Sequence, residues 1–212
     1  MKYIVLILSS VFFIVLLYQK NTTIGVENID INTTKGINME LNTQVKEQWN
    51  RLFKYYENNL TKKCKGASYK RIIEVENEFN VNLPKSFVDS FRICDERYIF
   101  NTSKKHGWFG EHEHYSIDNI YYDWYNLVIV NREMREYAEY WKDEWIVFYS
   151  YESWFDVILD TKTGQVYLKS ATDDNYIIWA DSYEKWLKMV VDEVIQYGEL
   201  RLETIEKLLE IS

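Results

Sequence analysis

The hydrophobic spacing of this 212-residue chain changes twice along its length. Between residues 43 and 93 the apolar side chains fall three and four positions apart. Val45, Trp49, Leu52, Phe53, Tyr56 and Leu60 form one such series, Ile72, Ile73, Val75 and Phe79 a second, and Phe87, Phe91 and Ile93 a third. Between 145 and 179 they gather instead in four short runs, at 145–149, 155–160, 165–169 and 176–179. Beyond Ser182 the helical spacing returns. Apolar residues at a period of 3.6 line one face of a helix, whereas short bounded runs read as strands. Helices, then a strand meander, then helices describe an α+β domain over 43–212.

Local punctuation supports the same order. Thr43 is the expected N-cap of a helix over 44–60, and Ser68 of a second. The second stops at 80–83, because Pro84 disfavours helix in the residue before it. Pro84 itself suits the first turn of a third helix, 85–94. Ser116 opens a fourth, with Ile117, Ile120, Tyr121, Trp124, Leu127 and Val128 at helical spacing, running on toward Trp141. Residues 160–164 (DTKTG) read as a hairpin turn in which Gly164 takes positive φ at low cost. Ser182 opens a helix to about Tyr197, and 199–211 reads as the last. Residues 95–115, which hold all three histidines, show no regular period.

Composition excludes several classes. A chain that is 47% hydrophobic and 17% aromatic buries far more than a disordered one can. The net charge of −8 argues against the basic surface that nucleic-acid binding needs. Two cysteines cannot build a disulfide scaffold or a four-cysteine zinc site. The charge is also unevenly placed: residues 1–105 carry 16 Lys and Arg against 11 Asp and Glu, and residues 106–212 carry 9 against 22. An acidic half of this kind is either a solvated face or a surface that steers a basic partner.

Residues 3–18 (YIVLILSSVFFIVLLY) hold no charge, between Lys2 and Lys20. As a helix they would span roughly 24 Å, short of a ~30 Å hydrocarbon core unless the flanks contribute. The exit shows no small-residue cleavage pattern and no cysteine for lipid attachment. Residues 1–19 are therefore read as a membrane anchor, with a cleaved signal segment as the alternative. A short positive start followed at once by the apolar run leans toward placing the domain outside the cytosol. Residues 20–42, rich in Asn and Thr and without period, read as a polar tether.

Several segments look familiar in combination. Leu83-Pro84-Lys85-Ser86-Phe87-Val88-Asp89-Ser90-Phe91 resembles the LPxSYxxFL stretch of the SUKH superfamily, and Ser116-Ile117-Asp118-Asn119-Ile120 is similar to its LSLEEI segment. Residues 155–160 (FDVILD) and 164–167 (GQVY) resemble its strand-turn-strand signature, and 182–187 (SYEKWL) its closing helix. The order and spacing hold over about 45–197. The superfamily takes in fungal cell-wall-assembly regulators and bacterial immunity proteins that neutralise polymorphic toxins. The resemblance implies an α+β binding module with no catalytic residues to carry over. The chain departs from the pattern at Ile93-Cys94-Asp95-Glu96 and at residues 149–154 (YSYESW), both in expected loops.

Three kinds of chemistry compete with plainer readings. His106, Glu111, His112 and His114 offer metal-ligand types, but not the helical HExxH spacing of metalloproteases, and an exposed polar loop is the favoured reading. No metal or other cofactor is expected, and no enzyme. Cys64, among Lys62, Lys63 and Lys65, sits where positive charge lowers a thiol pKa. Cys94 reads as a core residue, and outside the cytosol a bridge between the two becomes available. Tyrosine and tryptophan are favoured binding anchors, and Tyr122, Tyr125, Tyr151 and Trp154 are left over once the helix faces are assigned.

The expected function is that of a non-enzymatic immunity protein that occludes a cognate toxin, held at a membrane through residues 3–18. Its expected contacts are Glu111, Glu113, Asp118, Tyr122, Asp123, Tyr151, Glu152, Trp154, Asp173 and Asp174. The alternative is a membrane-tethered envelope or cell-wall scaffold with no toxin partner.

Overall fold

The computed structural model describes residues 40–57, 64–95, 109, 113–124, 141–151, 155–170, 176–201 and 203. The chain divides into two compact units, Met1–Glu40 and Leu41–Ser212, and the packing below lies within the second. The anchor expected over 1–19 and residues 20–39 of the tether expected over 20–42 fall outside the described residues, while Asn42 at the tether's end is bonded to Asp89 and Glu184. No helix among the described residues is long and apolar enough to cross a membrane.

Three helices come first, α1 (Thr43–Tyr55), α2 (Tyr69–Phe79) and α3 (Lys85–Ile93). A two-residue strand β1 (Glu113–His114) leads into α4 (Ile117–Trp124). The strands β2 (Trp145–Tyr151), β3 (Phe155–Asp160), β4 (Val166–Ser170) and β5 (Tyr176–Ala180) follow, and then α5 (Tyr183–Tyr197). The five strands make one antiparallel sheet in chain order. The α+β order expected from the periodicity is present, and the four long strands fall within two residues of their expected limits.

Two local expectations need correction. Asn42, not Thr43, caps α1: its Oδ1 accepts from the backbone N–H groups of Gln44 and Val45 at 3.0 and 3.2 Å. Asparagine suits this role, because its short side chain folds back onto the first-turn N–H groups. The helix also ends at Tyr55 rather than at residue 60. The second correction is β1, which lies in a stretch where no strand was expected. Ser68 and Ser182 cap their helices as expected, and Asn80 and Gly198 end α2 and α5 in the left-handed conformation. The 160–164 turn also forms, with Gly164 at φ 76 and Asp160 accepting from the N–H groups of Lys162 and Thr163.

The helices cover one face of the sheet. Val45, Trp49 and Leu52 of α1, Phe87 and Phe91 of α3, and Trp186, Leu187 and Val190 of α5 pack with Ile146, Phe148, Val157, Leu159 and Leu168. A bulge between Val147 and Tyr149 leaves Phe148 without a partner on β3. One extra residue in a strand shifts the alternation by one position, so Phe148 and Tyr149, though adjacent, both join the helix-side core. The opposite face carries a smaller cluster of Trp145, Val147, Ile158 and Tyr167.

Polar ties set the helices against one another. Ser90, fully buried on α3, accepts from Trp49 Nε1 at 2.7 Å and from the Tyr183 hydroxyl at 2.8 Å. Burial pushes the Tyr183 phenol well above its ordinary pKa, against the hydrogen bond to Ser90. Next to it, buried Asp89 accepts from the Asn42 backbone N–H at 2.8 Å and pairs with Arg92 at 3.1 Å and with Lys85. Asn42 also donates to Glu184 in the first turn of α5, 3.2 Å away. Ser90→Ala should cost about 2–3 kcal/mol, since two buried donors would lose their acceptor at once. A fall in the urea midpoint with an unchanged m-value would register it.

Cys64 and Cys94 are bridged, with Cα atoms 5.3 Å apart. Cys94 is both core and bridge, and the thiol reading of Cys64 does not apply to this form. Two backbone hydrogen bonds flank the bridge. Ala67 donates to the Phe91 carbonyl at 2.8 Å and Asp95 to the Lys65 carbonyl at 3.0 Å. Between them, a Cβ on Gly66 would lie 1.9 Å from the Arg92 carbonyl oxygen, a backbone approach that only glycine permits.

Candidate functional site

The strand register decides where the expected contact residues lie. Ser150 stands opposite Glu113 on one side and Asp156 on the other, and Tyr151 opposite Phe155. Phe155 in turn faces Ser170, and Lys169 faces Tyr176. Positions 113, 150–151, 155–156, 169–170 and 176 therefore share one end of the sheet, the end opposite the 160–164 turn. Glu113 and Tyr151, 38 positions apart in the chain, come to neighbouring strands there. The strand ends that flank 111–112, 152–154 and 171–175 are at this same end.

Of the ten expected contacts, Glu111, Glu152, Trp154, Asp173 and Asp174 lie outside the described residues. Glu113 and Tyr151 are placed as strand positions and Asp123 as a position on α4. Asp118 and Tyr122 are placed as side chains, one turn apart on α4, with Tyr122 64% exposed. His114 falls on β1, while His106 and His112 lie outside the described residues. Among the described residues no group of three or more His, Cys, Asp or Glu is set to hold a metal.

The stretch read as an exposed loop is partly tied to the core. Phe109 is fully buried, its ring 5.6 Å from Trp186 and 5.8 Å from Tyr149, and its carbonyl accepts from Leu200 at 3.0 Å. Tyr115 donates to the Phe148 carbonyl at 3.0 Å, continuing the pairing of β1 toward α4.

On α4, Ile117 and Ile120 are buried, which turns Asp118 and Tyr122 outward. Ser116 accepts from the Asn119 N–H, as the cap reading anticipated. Asp118 accepts from Arg71 Nε of α2 at 2.6 Å, and Arg71 also reaches Glu74 at 3.5 Å and lies 5.1 Å over the Tyr121 ring. Partial burial alone would lower the Arg71 guanidinium pKa, but the bond and charge of Asp118, then of Glu74, hold it above the ordinary value. Asp118 keeps most of its side-chain surface exposed despite this pair. A partner cation would compete with a surface ion pair, which is a weak competitor. Arg71 escaped the sequence reading, because an arginine on a helix face carries no signal of its partner 47 positions away.

These features define an α+β domain with helices on one face of an antiparallel meander and an acidic, tyrosine-bearing helix at its side. The description of the SMI1 / KNR4 family (SUKH-1) matches residues 66–189, from just before α2 to the middle of α5. The chain belongs to this family. No curated protein matches it.

Proposed function

We propose that this chain is an immunity-type binding protein that neutralises a cognate polymorphic toxin by covering its active surface. The observation that carries the reading is the register, which brings Glu113, Tyr151 and the ends flanking the acidic and aromatic segments 111–112, 152–154 and 171–175 to one end of the sheet. Membership of the SMI1 / KNR4 family is compatible with it. Aromatic anchors supply buried area at low entropy cost, and a cluster of carboxylates speeds encounter with a basic partner. Residues 3–18 would tether the domain to a membrane. The Cys64–Cys94 bridge supports a place outside the reducing cytosol, where such bonds persist.

Tagged protein recovered from the membranes of its own host tests the reading directly. A stoichiometric toxin among the co-purified chains is the expected result. Envelope-assembly proteins in its place would overturn it in favour of a scaffold. With the partner in hand, replacing Glu111, Glu113, Asp173 and Asp174 by lysine should slow association at least about tenfold at low salt and flatten its salt dependence. Stopped-flow rates that do not move would remove the electrostatic part.

A further inference from the structure

We infer that the Cys64–Cys94 bridge is a redox-sensitive lock on α4, the helix that presents Asp118 and Tyr122. This rests on the proposed partner-binding role of α4 only in its last step, from the helix to the partner.

The bridge closes a ring of contacts around the contact helix. One arm runs from Cys64 through Lys65 and Ala67, which are bonded to Asp95 and Phe91, into the Ser68 cap and so to Arg71 on α2. The other runs from Cys94 to Asp95, whose Oδ1 accepts from the Ile117 N–H at 2.7 Å and so caps the first turn of α4 from a distant part of the chain. The arms meet again where Arg71 binds Asp118 at 2.6 Å. Of the interactions that orient α4 here, the Asp95 cap and the Arg71 pair both depend on backbone that the disulfide holds. Ile117 and Ile120 fasten the inner face of the helix to the core, so what the bridge governs is the first turn and the outward residues.

The two sulfurs differ in access. Cys94 is fully buried and Cys64 only partly so, in a run with Lys63 and Lys65 that favours an approaching thiolate. A dithiol reductant would attack Cys64 Sγ, forming a mixed disulfide and expelling Cys94 as a thiolate, which takes a proton from water. The second thiol of the reductant then attacks the mixed disulfide and releases Cys64. Two electrons and two protons have passed to the protein, and the dithiol leaves as its cyclic disulfide.

Reduction should free the Cys94–Asp95 segment and raise the exchange of the α4 amides. Amide hydrogen exchange on the full chain, oxidised and then reduced with dithiothreitol, tests this without a partner. Exchange at 120–124 should rise at least about fivefold more than at the core of α5, the effect of one lost helix cap on a local opening. Asp95→Ala in the oxidised protein should reproduce that excess, and reducing this variant should add little more to it. Exchange at 120–124 that merely follows α5 in both would overturn the lock. A reduced protein that unfolds as a whole would overturn the lock as well, since the bridge would then hold the entire domain and not α4 in particular.

The partner arm separates the two readings. With a toxin identified, its affinity should fall about fivefold on Asp95→Ala, in parallel with the exchange. A responsive α4 with no toxin partner would leave the lock standing and the immunity reading lost. A bound toxin with an unresponsive α4 would do the reverse.

Discussion

Replacing Trp186 by alanine should lower the stability of the domain by about 3–5 kcal/mol, the range for removing a large buried aromatic. Trp186 is fully buried on α5, and its ring lies 4.7 Å from Phe148, 5.6 Å from Phe109 and Tyr183, and 6.1 Å from Trp179. It thus joins α5 to strands β2 and β5 and to the segment around Phe109. Edge-to-face pairs add to the area buried, and most of these are close to perpendicular. Its indole N–H has no hydrogen-bond partner among the described residues, so Trp186→Phe removes an unpaired donor along with some volume. The phenylalanine variant should therefore lose distinctly less than the alanine one. Equal losses in urea melts would mean that ring packing is not what Trp186 contributes.

Removing the disulfide should be nearly as costly. The bridge closes a separation of 30 residues, for which the loss of chain entropy in the unfolded state stabilises the fold by roughly 3–4 kcal/mol. The buried ties of Ser90 to Trp49 and Tyr183 involve neither sulfur. The double variant should therefore fold, with a lower denaturation midpoint than the oxidised protein. Its midpoint should match that of the reduced wild type within about 1 kcal/mol, since both lack the same loop constraint. No difference between oxidised and reduced protein would show that the bridge contributes nothing to the fold.

Much of the domain was legible in the residues alone because the signals are local. Ser68 and Ser182 cap helices through bonds that span three residues, Pro84 stops one by sterics, and Asp160 with Gly164 shapes a turn within five positions. The α+β order follows from where the hydrophobic period changes. The family segments lie on these same elements, so the resemblance and the periodicity agree. The N-cap of α1 was misplaced by one residue because asparagine and threonine both cap well, and the neighbouring groups decide between them. Asn42 is also held by Asp89 and Glu184, 47 and 142 positions away.

Long-range geometry decided the rest. The pattern of 145–151 does not reveal that a bulge sets Phe148 and Tyr149 on the same side, because the bulge exists only against β3. Gly66 looks like an ordinary turn glycine until the Arg92 carbonyl is placed against it. The histidine-bearing stretch reads as an exposed polar loop, yet Phe109 fills the space beside Trp186 and β1 pairs with β2. The candidate surface follows the same division. Which residues are acidic or aromatic could be read directly, but that Glu113 and Tyr151 share one end of the sheet depends on strand register. Asp118 was chosen for its charge, while its ties to Arg71, and through Ile117 to Asp95 and the bridge, arise only on folding. Periods, caps and turns are energies between near neighbours, so the amino-acid sequence by itself determined the elements and their order. Register, the disulfide partner and the exposed face of α4 are energies between residues far apart in the chain, and only the tertiary structure decided them.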